Sequence, residues 1–246
     1  MANILAIDTS SAWCSVALSL GDKAPLFRHE AVSTGASQLL LPWTEELLTK
    51  ANTPLSTLDA IAIGVGPGAF TGVRLGLAVV QGLAIGAEVP VIPVASLDAL
   101  ALQLLQTPRF KSSQAKNFVI AVDARMDEIY WARFEIMSNS MPVRVGDIHL
   151  SKPEELNLND VHFLAGSAIK EYGARLFSSG NPELTSEYLD DEIGISALGV
   201  LEAAKIDFSK GRQISVSQLE PLYIRNKVAL TSKERMAINS SGISLA

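Results

Sequence analysis

Apolar runs of strand length alternate along this chain with stretches of helical period. Residues 4–7 are continuously apolar and read as a buried strand, residues 13–20 alternate as its hairpin partner, and residues 25–32 supply a third strand beyond the Gly21-Asp22 turn. A helical pattern over 37–51 stops at Asn52 and Pro54. A strand over 59–63, a glycine-rich turn over 64–68, a helix over 71–86 and a strand over 90–94 follow. Ser96 reads as the N-cap of a helix over 97–105, with Asp98 in its first turn. Strands that alternate with helices predict an α/β architecture with partly parallel sheets.

Residues 107–117, with Pro108 and a polar run, read as a linker. Beyond them the opening pattern returns. Ile4-Leu5-Ala6-Ile7-Asp8, a polar turn and a strand are echoed by Phe118-Val119-Ile120-Ala121-Val122-Asp123, a short turn and residues 128–134. Asp8 and Asp123 lie 115 residues apart, each closing the strand that opens its half. The echo predicts two related lobes, residues 1–106 and 107–246, each a mixed sheet with flanking helices. The second half continues with strands over 143–150 and 161–165, a Gly166-Ser167 turn and a helix over 168–177. A helix rich in alanine and leucine over 195–206 is free to pack back on the first lobe. Residues 220–225 read as extended, and residues 231–246, serine-containing and aperiodic, as a frayed tail.

The helix over 71–86 says most about partners. Gly72, Leu75, Gly76, Val79, Leu83 and Gly86 share one face, and Val73, Leu77, Val80 and Ala84 another, so the helix is apolar nearly all round and needs cover on both sides. Its own sheet covers one side. The other is either sandwiched inside the domain or docked on a partner. The Gly72-x-x-x-Gly76 and Gly82-x-x-x-Gly86 spacings allow close approach, and the Leu39-Leu40-Leu41 run of the preceding helix extends the patch. Leu41, Gly72, Leu75, Gly76, Val79 and Leu83 are therefore the candidate partner or dimer interface. Residues 75–94 are also the membrane suspect, but Glu88, Pro90, Pro93 and the glycines interrupt the apolar run that a spanning helix requires.

Composition narrows the function classes. The 246 residues are 48% hydrophobic and 19% charged, ordinary globular usage that excludes intrinsic disorder. Twenty basic against 26 acidic residues give a net charge of −6 with no basic stripe, which argues against unaided nucleic-acid binding. Cys14 alone forms no intrachain disulfide, and with His29, His149 and His162 it supplies no structural zinc set. No basic region precedes the first strand, so the expected location is cytoplasmic.

Two turns carry candidate chemistry. Gly64-Val65-Gly66-Pro67-Gly68-Ala69-Phe70-Thr71-Gly72-Val73-Arg74, between strand and helix, either presents backbone N–H groups to an anion or is a purely structural turn. Its Gly64-x-Gly66-x-x-Ala69 spacing formally matches a dinucleotide fingerprint, yet Pro67 removes one N–H and no P-loop Gly-Lys-Ser/Thr ending follows. Asp8, Thr9 and Ser10 in the first half, with Asp123 and Arg125 in the second, either orient phosphate and Mg²⁺ or simply suit tight turns. A Gly-x-Ser-x-Gly elbow is absent and the histidines are scattered, so nucleophilic catalysis finds no support. Cys14, Trp13, Trp43 and Trp131 read as packing residues.

Four blocks together resemble the TsaB (YeaZ) family. They are Ile4-Leu5-Ala6-Ile7-Asp8-Thr9-Ser10, Gly66-Pro67-Gly68-Ala69-Phe70-Thr71-Gly72-Val73-Arg74, Val122-Asp123-Ala124-Arg125-Met126 with Glu128-Ile129-Tyr130-Trp131-Ala132, and Pro221-Leu222-Tyr223-Ile224-Arg225-Asn226. The resemblance implies a two-lobed fold of the actin, sugar-kinase and Hsp70 type. It also implies a non-catalytic subunit that supports the paralogue TsaD, which transfers a threonylcarbamoyl group to the tRNA adenosine beside the anticodon, with the ATPase TsaE as a further partner. Docking, and a homodimer when alone, would use the helices over 37–51 and 71–86. The metal-binding histidine pair of the catalytic paralogue is missing from Thr34-Gly35-Ala36-Ser37-Gln38, so neither a metal nor peptidase activity is expected. Nucleotide-binding relatives carry a Gly-Gly turn in the second lobe where Gly166-Ser167 has a single glycine. The expectation is therefore no cofactor of its own, ATP and Mg²⁺ only within the complex, and tRNA contact only through partners. The alternative is an ATP/Mg-dependent phosphotransferase or ATPase of the same fold, built on Asp8 and Asp123; a dinucleotide enzyme resting on Gly64, Gly66 and Ala69 is a third reading.

Overall fold

Ile4, Leu5, Ala6 and Ile7 are fully buried on both faces of their strand, which is why the run is continuous rather than alternating. They belong to β1 (Ile4–Asp8) at the centre of a five-stranded sheet. The computed structural model describes residues 2–32, 35–138, 140–178 and 184–225; the tail expected over 231–246 lies outside the described residues. The first sheet contains β1, β2 (Trp13–Ser19), β3 (Leu26–Ala31), β4 (Ala60–Gly66) and β5 (Val91–Ala95), in the order β3-β2-β1-β4-β5. Helix α1 (Ala36–Lys50) joins β3 to β4, and α2 (Phe70–Ala87) is the crossover from β4 to β5. Helices α3 (Ser96–Leu104) and α4 (Pro108–Ser113) lead to the second sheet.

That sheet repeats the first. It contains β6 (Asn117–Arg125), β7 (Glu128–Ile136), β8 (Pro142–Ser151), β9 (Phe163–Ala165) and β10 (Leu189–Asp190), in the order β8-β7-β6-β9-β10. In both sheets the opening strand runs antiparallel to the second and parallel to the fourth. The chain therefore has two related lobes, each a mixed sheet with flanking helices. The lobes differ in their helices. α5 (Ala168–Tyr172), between β9 and β10, is far shorter than α2, and only a 3₁₀ turn, Pro153–Glu155, stands where α1 would lie.

α6 (Ala197–Ser209) follows β10 yet packs against α3 and on the first sheet, where its Ala197 N–H donates to Ser15 Oγ at 2.8 Å. Gly199 makes the close approach to α3 possible, since a Cβ there would lie 2.6 Å from the Ala99 carbonyl oxygen. A central core draws Ile4 and Ala6 from β1, Phe118 and Ile120 from β6, and Leu97 and Leu100 from α3, so both sheets share one apolar interior. Each lobe has a further cluster on its outer face.

Several sequence expectations change. The segment over 107–117 is not a plain linker, since Thr107 accepts from the Phe110 N–H and Pro108 occupies the first turn of α4, a helix-start pattern. Ser96 does not cap α3: the N-cap residue is Ala95, and the buried Ser96 hydroxyl donates to Ser10 Oγ at 3.2 Å. The helix over 168–177 breaks at Gly173 into α5 and a 3₁₀ turn, Gly173–Phe177. Cys14 is fully buried, as a packing residue would be.

Candidate functional site

β1 delivers Asp8 to the end of the first sheet, where the glycine-rich turn after β4 closes over it. A Cβ on Gly64 would lie 2.0 Å from Asp8 Oδ2, so only glycine lets the two strands meet there. Asp8 is fully buried, and Ser10 donates to it from both its backbone N–H, at 3.0 Å, and its hydroxyl. Burial pushes its carboxyl up to about 7, against the smaller opposing pull of the Ser10 bonds. The rest of the turn is bound likewise. Thr9 Oγ1 donates to the Gly72 carbonyl at 2.7 Å, and the Ala69 N–H donates to the Ser10 carbonyl at 2.7 Å.

These contacts decide what the glycine-rich turn does: it grips the Asp8–Ser10 turn of its own chain. The Ala69 N–H, a member of the formal dinucleotide fingerprint, is already bonded, and Asp8 points into the protein. The side chains of Asp8, Thr9 and Ser10, the predicted magnesium–phosphate residues, are each hydrogen-bonded within the chain. Among the described residues, no three of His, Cys, Asp or Glu gather in a metal-binding group.

The matching turn of the second lobe is built differently. Asp123 Oδ1 accepts from Tyr172 Oη at 2.8 Å and from the Arg125 N–H at 2.8 Å, while Arg125 Nε stands 3.2 Å from Oδ2. The Asp123 N–H in turn donates to Ser167 Oγ. Arg125, Met126 and Asp127 all have left-handed backbone, with φ of 60°, 58° and 62°. Side chains disfavour that region, and Arg175 on Asp127 helps to hold it. Asp8 and Asp123 share no hydrogen-bond partner among the described residues.

A strap after α6 joins the two turns. The Leu222 N–H donates to the Val65 carbonyl at the end of β4, and Arg225 donates to the Ala124 and Arg125 carbonyls and pairs with Glu128. Leu222 and Ile224 pack on the central core between those anchors.

The α1–α2 face presents the other candidate residues. Val73, Leu77, Val80 and Ala84 are buried against the sheet, whereas Leu75, Val79 and Leu83 are half-buried. Gly72 and Gly76 depart from the expected partner-facing patch. A Cβ would lie 1.9 Å from the Thr9 carbonyl at Gly72 and 2.7 Å from Thr9 Oγ1 at Gly76, so their small size serves a contact within the chain. What faces outward is Ala78, Gly82 and Ile85, the last 65% exposed. Beside this stripe a groove of about 820 Å³ runs between α1 and α2, lined by Leu41, Thr44, Glu45, Leu48, Leu55 and Leu83. Leu41 is 51% exposed there.

Residues 30–181 match the family described as TsaD, tRNA N6-adenosine threonylcarbamoyltransferase. Over 239 residues the chain is 35% identical to the tRNA threonylcarbamoyladenosine biosynthesis protein TsaB of Haemophilus influenzae, covering 92% of this chain and 94% of that one. The corresponding TsaB of Escherichia coli is 34% identical over 228 residues, covering 92% and 96%. The chain belongs to the TsaB family. It stands within the wider group that the TsaD model describes. YeaZ from Pseudomonas aeruginosa superposes with a TM-score of 0.78 at 33% identity, over 91% of this chain and 100% of that one.

For a TsaB-family chain, three features escaped sequence reasoning. Ile85 had a signal, since it continues the Ala78 and Gly82 spacing. Arg225 and Tyr223 stand in the Pro221–Asn226 block, but their pairing had no signal, because their partners Glu128 and Arg74 lie 97 and 149 residues away.

Proposed function

We propose that this TsaB-family chain is a non-catalytic docking subunit for threonylcarbamoylation of the tRNA adenosine beside the anticodon. It binds a TsaD-type paralogue through the α1–α2 face and, with it, a TsaE-type ATPase. The observation that carries the reading is the exposed apolar surface formed by Leu41, Ile85 and the α1–α2 groove. Leu75, Val79 and Leu83 lie half-buried beside it, where a partner would complete their burial. Alone, the chain pairs with a second copy through the same face.

The second reading, an ATPase or phosphotransferase using Asp8 and Asp123, is weaker because Asp8 is sealed beneath Gly64 and bonded to Ser10. On the favoured reading the chain has no cofactor of its own, and ATP and Mg²⁺ enter only with the partners. Its net charge of −6 supports tRNA contact through partners rather than alone. It works in the cytoplasm without a membrane. α2 is long and apolar enough to cross one, but both its ends return to neighbouring strands of one sheet.

Light scattering behind a sizing column tests the proposal, first on the chain alone and then with the TsaD-type paralogue of its organism and ATP. A homodimer that exchanges for a heterodimer is expected. A monomer that ignores the paralogue overturns it.

A further inference from the structure

The outward stripe of α2 is apolar along Ala78, Gly82 and Ile85, but one helical turn before Ala78 it ends on Arg74. That guanidinium is fixed without being neutralised. Its carbon sits 3.7 Å over the Phe70 ring, and its Nε donates to Tyr223 Oη at 3.0 Å. No carboxylate pairs with it among the described residues, although eight other basic residues of this acidic chain find one. With the ring on one face and Nε engaged, the two terminal nitrogens form an edge with no partner among the described residues, the geometry that takes a carboxylate through two parallel bonds. Phe70 and Tyr223 are 43% and 51% exposed, with centroids 6.3 Å apart. Exposed aromatic rings around an arginine are the composition of an interface anchor.

We propose that Arg74, held by Phe70 and Tyr223, is the polar anchor of the docking surface and receives a carboxylate of the TsaD-type paralogue; this rests on the docking reading above. Charge complementarity selects the acid. Continuity with the Ala78–Ile85 stripe selects a protein face over a free anion, and the chain's net negative charge disfavours a polyanion. The stripe has no charge of its own, so Arg74 is what fixes the register of an otherwise slippery apolar contact. Because Tyr223 belongs to the strap, the docking surface extends from the α1–α2 groove to the segment that ties the lobes together.

The test is calorimetric titration of the full chain with the TsaD-type paralogue at low and high salt. Arg74→Gln should weaken binding about tenfold at low salt and by much less at high salt. Arg74→Glu should be weaker still, and Arg74→Lys should not restore the loss, because an ammonium cannot form the fork. Tyr223→Phe, which removes only the hydroxyl that fixes Nε, should weaken binding about threefold. Arg74 is at the surface, so all four variants should melt with the wild type. If Arg74→Gln and Arg74→Glu bind within about twofold of wild type at both salts while Leu41→Asp abolishes the complex, the anchor is wrong and docking stands. If the wild type binds nothing, the docking reading fails and takes the anchor with it.

Discussion

Asp8 and Asp123 each stand near the end of the central strand of their sheet, Asp8 at the end of β1 beside Gly64 and Asp123 two residues before the end of β6, where Gly166 lies beside Ala121 instead. Their surroundings diverge. Asp8 is fully buried, with Ser10 as its donor and Gly64 pressed on its carboxyl. Asp123 stands at a partly open edge between Tyr172 and Arg125, on a hairpin that the C-terminal strap reaches. Duplication preserved strand order and turn position while the side-chain chemistry separated. Asp8 is part of the buried interior, and Leu222 and Ile224 of the strap pack on the central core.

Gly64, beside Asp8, and Gly166, beside Ala121, give the largest expected effect. At Gly166 a Cβ would lie 2.2 Å from the Ala121 carbonyl oxygen, and its φ is +119°. Backbone cannot swing aside, so Gly166→Ala should destabilise by about 4 kcal/mol. Gly64→Ala meets a carboxyl side chain instead and should lose about 3 kcal/mol. Urea unfolding of both variants ranks them. Equal or negligible losses would mean that the two turns are looser than their contacts imply.

Asp8→Asn is the next step, and its effect depends on pH. The folded carboxyl titrates near 7 and the unfolded one near 3.8, so the folded state holds the proton more tightly. Stability from this group is present in full below the unfolded value and is lost as pH rises through the folded value. The loss approaches about 3 to 4 kcal/mol by pH 8. Asparagine can accept from the Ser10 N–H without carrying charge. Its advantage over wild type should therefore grow from pH 5 to pH 7 and level off above. A flat margin in pH-dependent urea unfolding would mean that Asp8 is ionised throughout and open to a cation.

Arg225→Ala tests whether the strap holds the two turns as one unit. The side chain is only 13% exposed, and its loss leaves Glu128 and two carbonyls short of a donor, at a cost of about 2 kcal/mol. Amide exchange should quicken at 124–130 and also at 64–70, since Leu222 on Val65 belongs to the same strap. Faster exchange confined to 124–130 would show that the two ends of the strap act separately.

How much of this was legible follows from where each signal lies. The β1 and β6 runs are short, apolar and ended by acids, so the strands and the duplication could be read directly. Burial of Cys14 followed from its place within the β2 pattern. α4 was hidden because Thr107-Pro108 suits a helix start and a loop equally, and the two-residue β10 is too short for any period. The side of α2 on which Gly72 and Gly76 face could not be read, since a helix apolar all round carries no directional cue. Thr9, which decides it, is more than sixty residues away. The burial of Asp8 was equally hidden, because Asp-Thr-Ser reads the same whether a loop closes over it or leaves it open.

The smallest expected effect completes the contrast. Asp123→Asn keeps an oxygen for Tyr172 Oη and the Arg125 N–H, and gives up only the ionic part of the Arg125 contact. The Arg125 side chain is 80% exposed, so water screens that pair and its loss should lower stability by about 0.5 kcal/mol. The left-handed residues Arg125 to Asp127 retain Arg175 and the strap, so the hairpin keeps its shape. A loss above about 2 kcal/mol in urea would show that the Asp123 charge itself holds the strained turn. The second lobe would then depend on its acid as the first depends on Gly64, and the two turns would differ in exposure but not in structural weight.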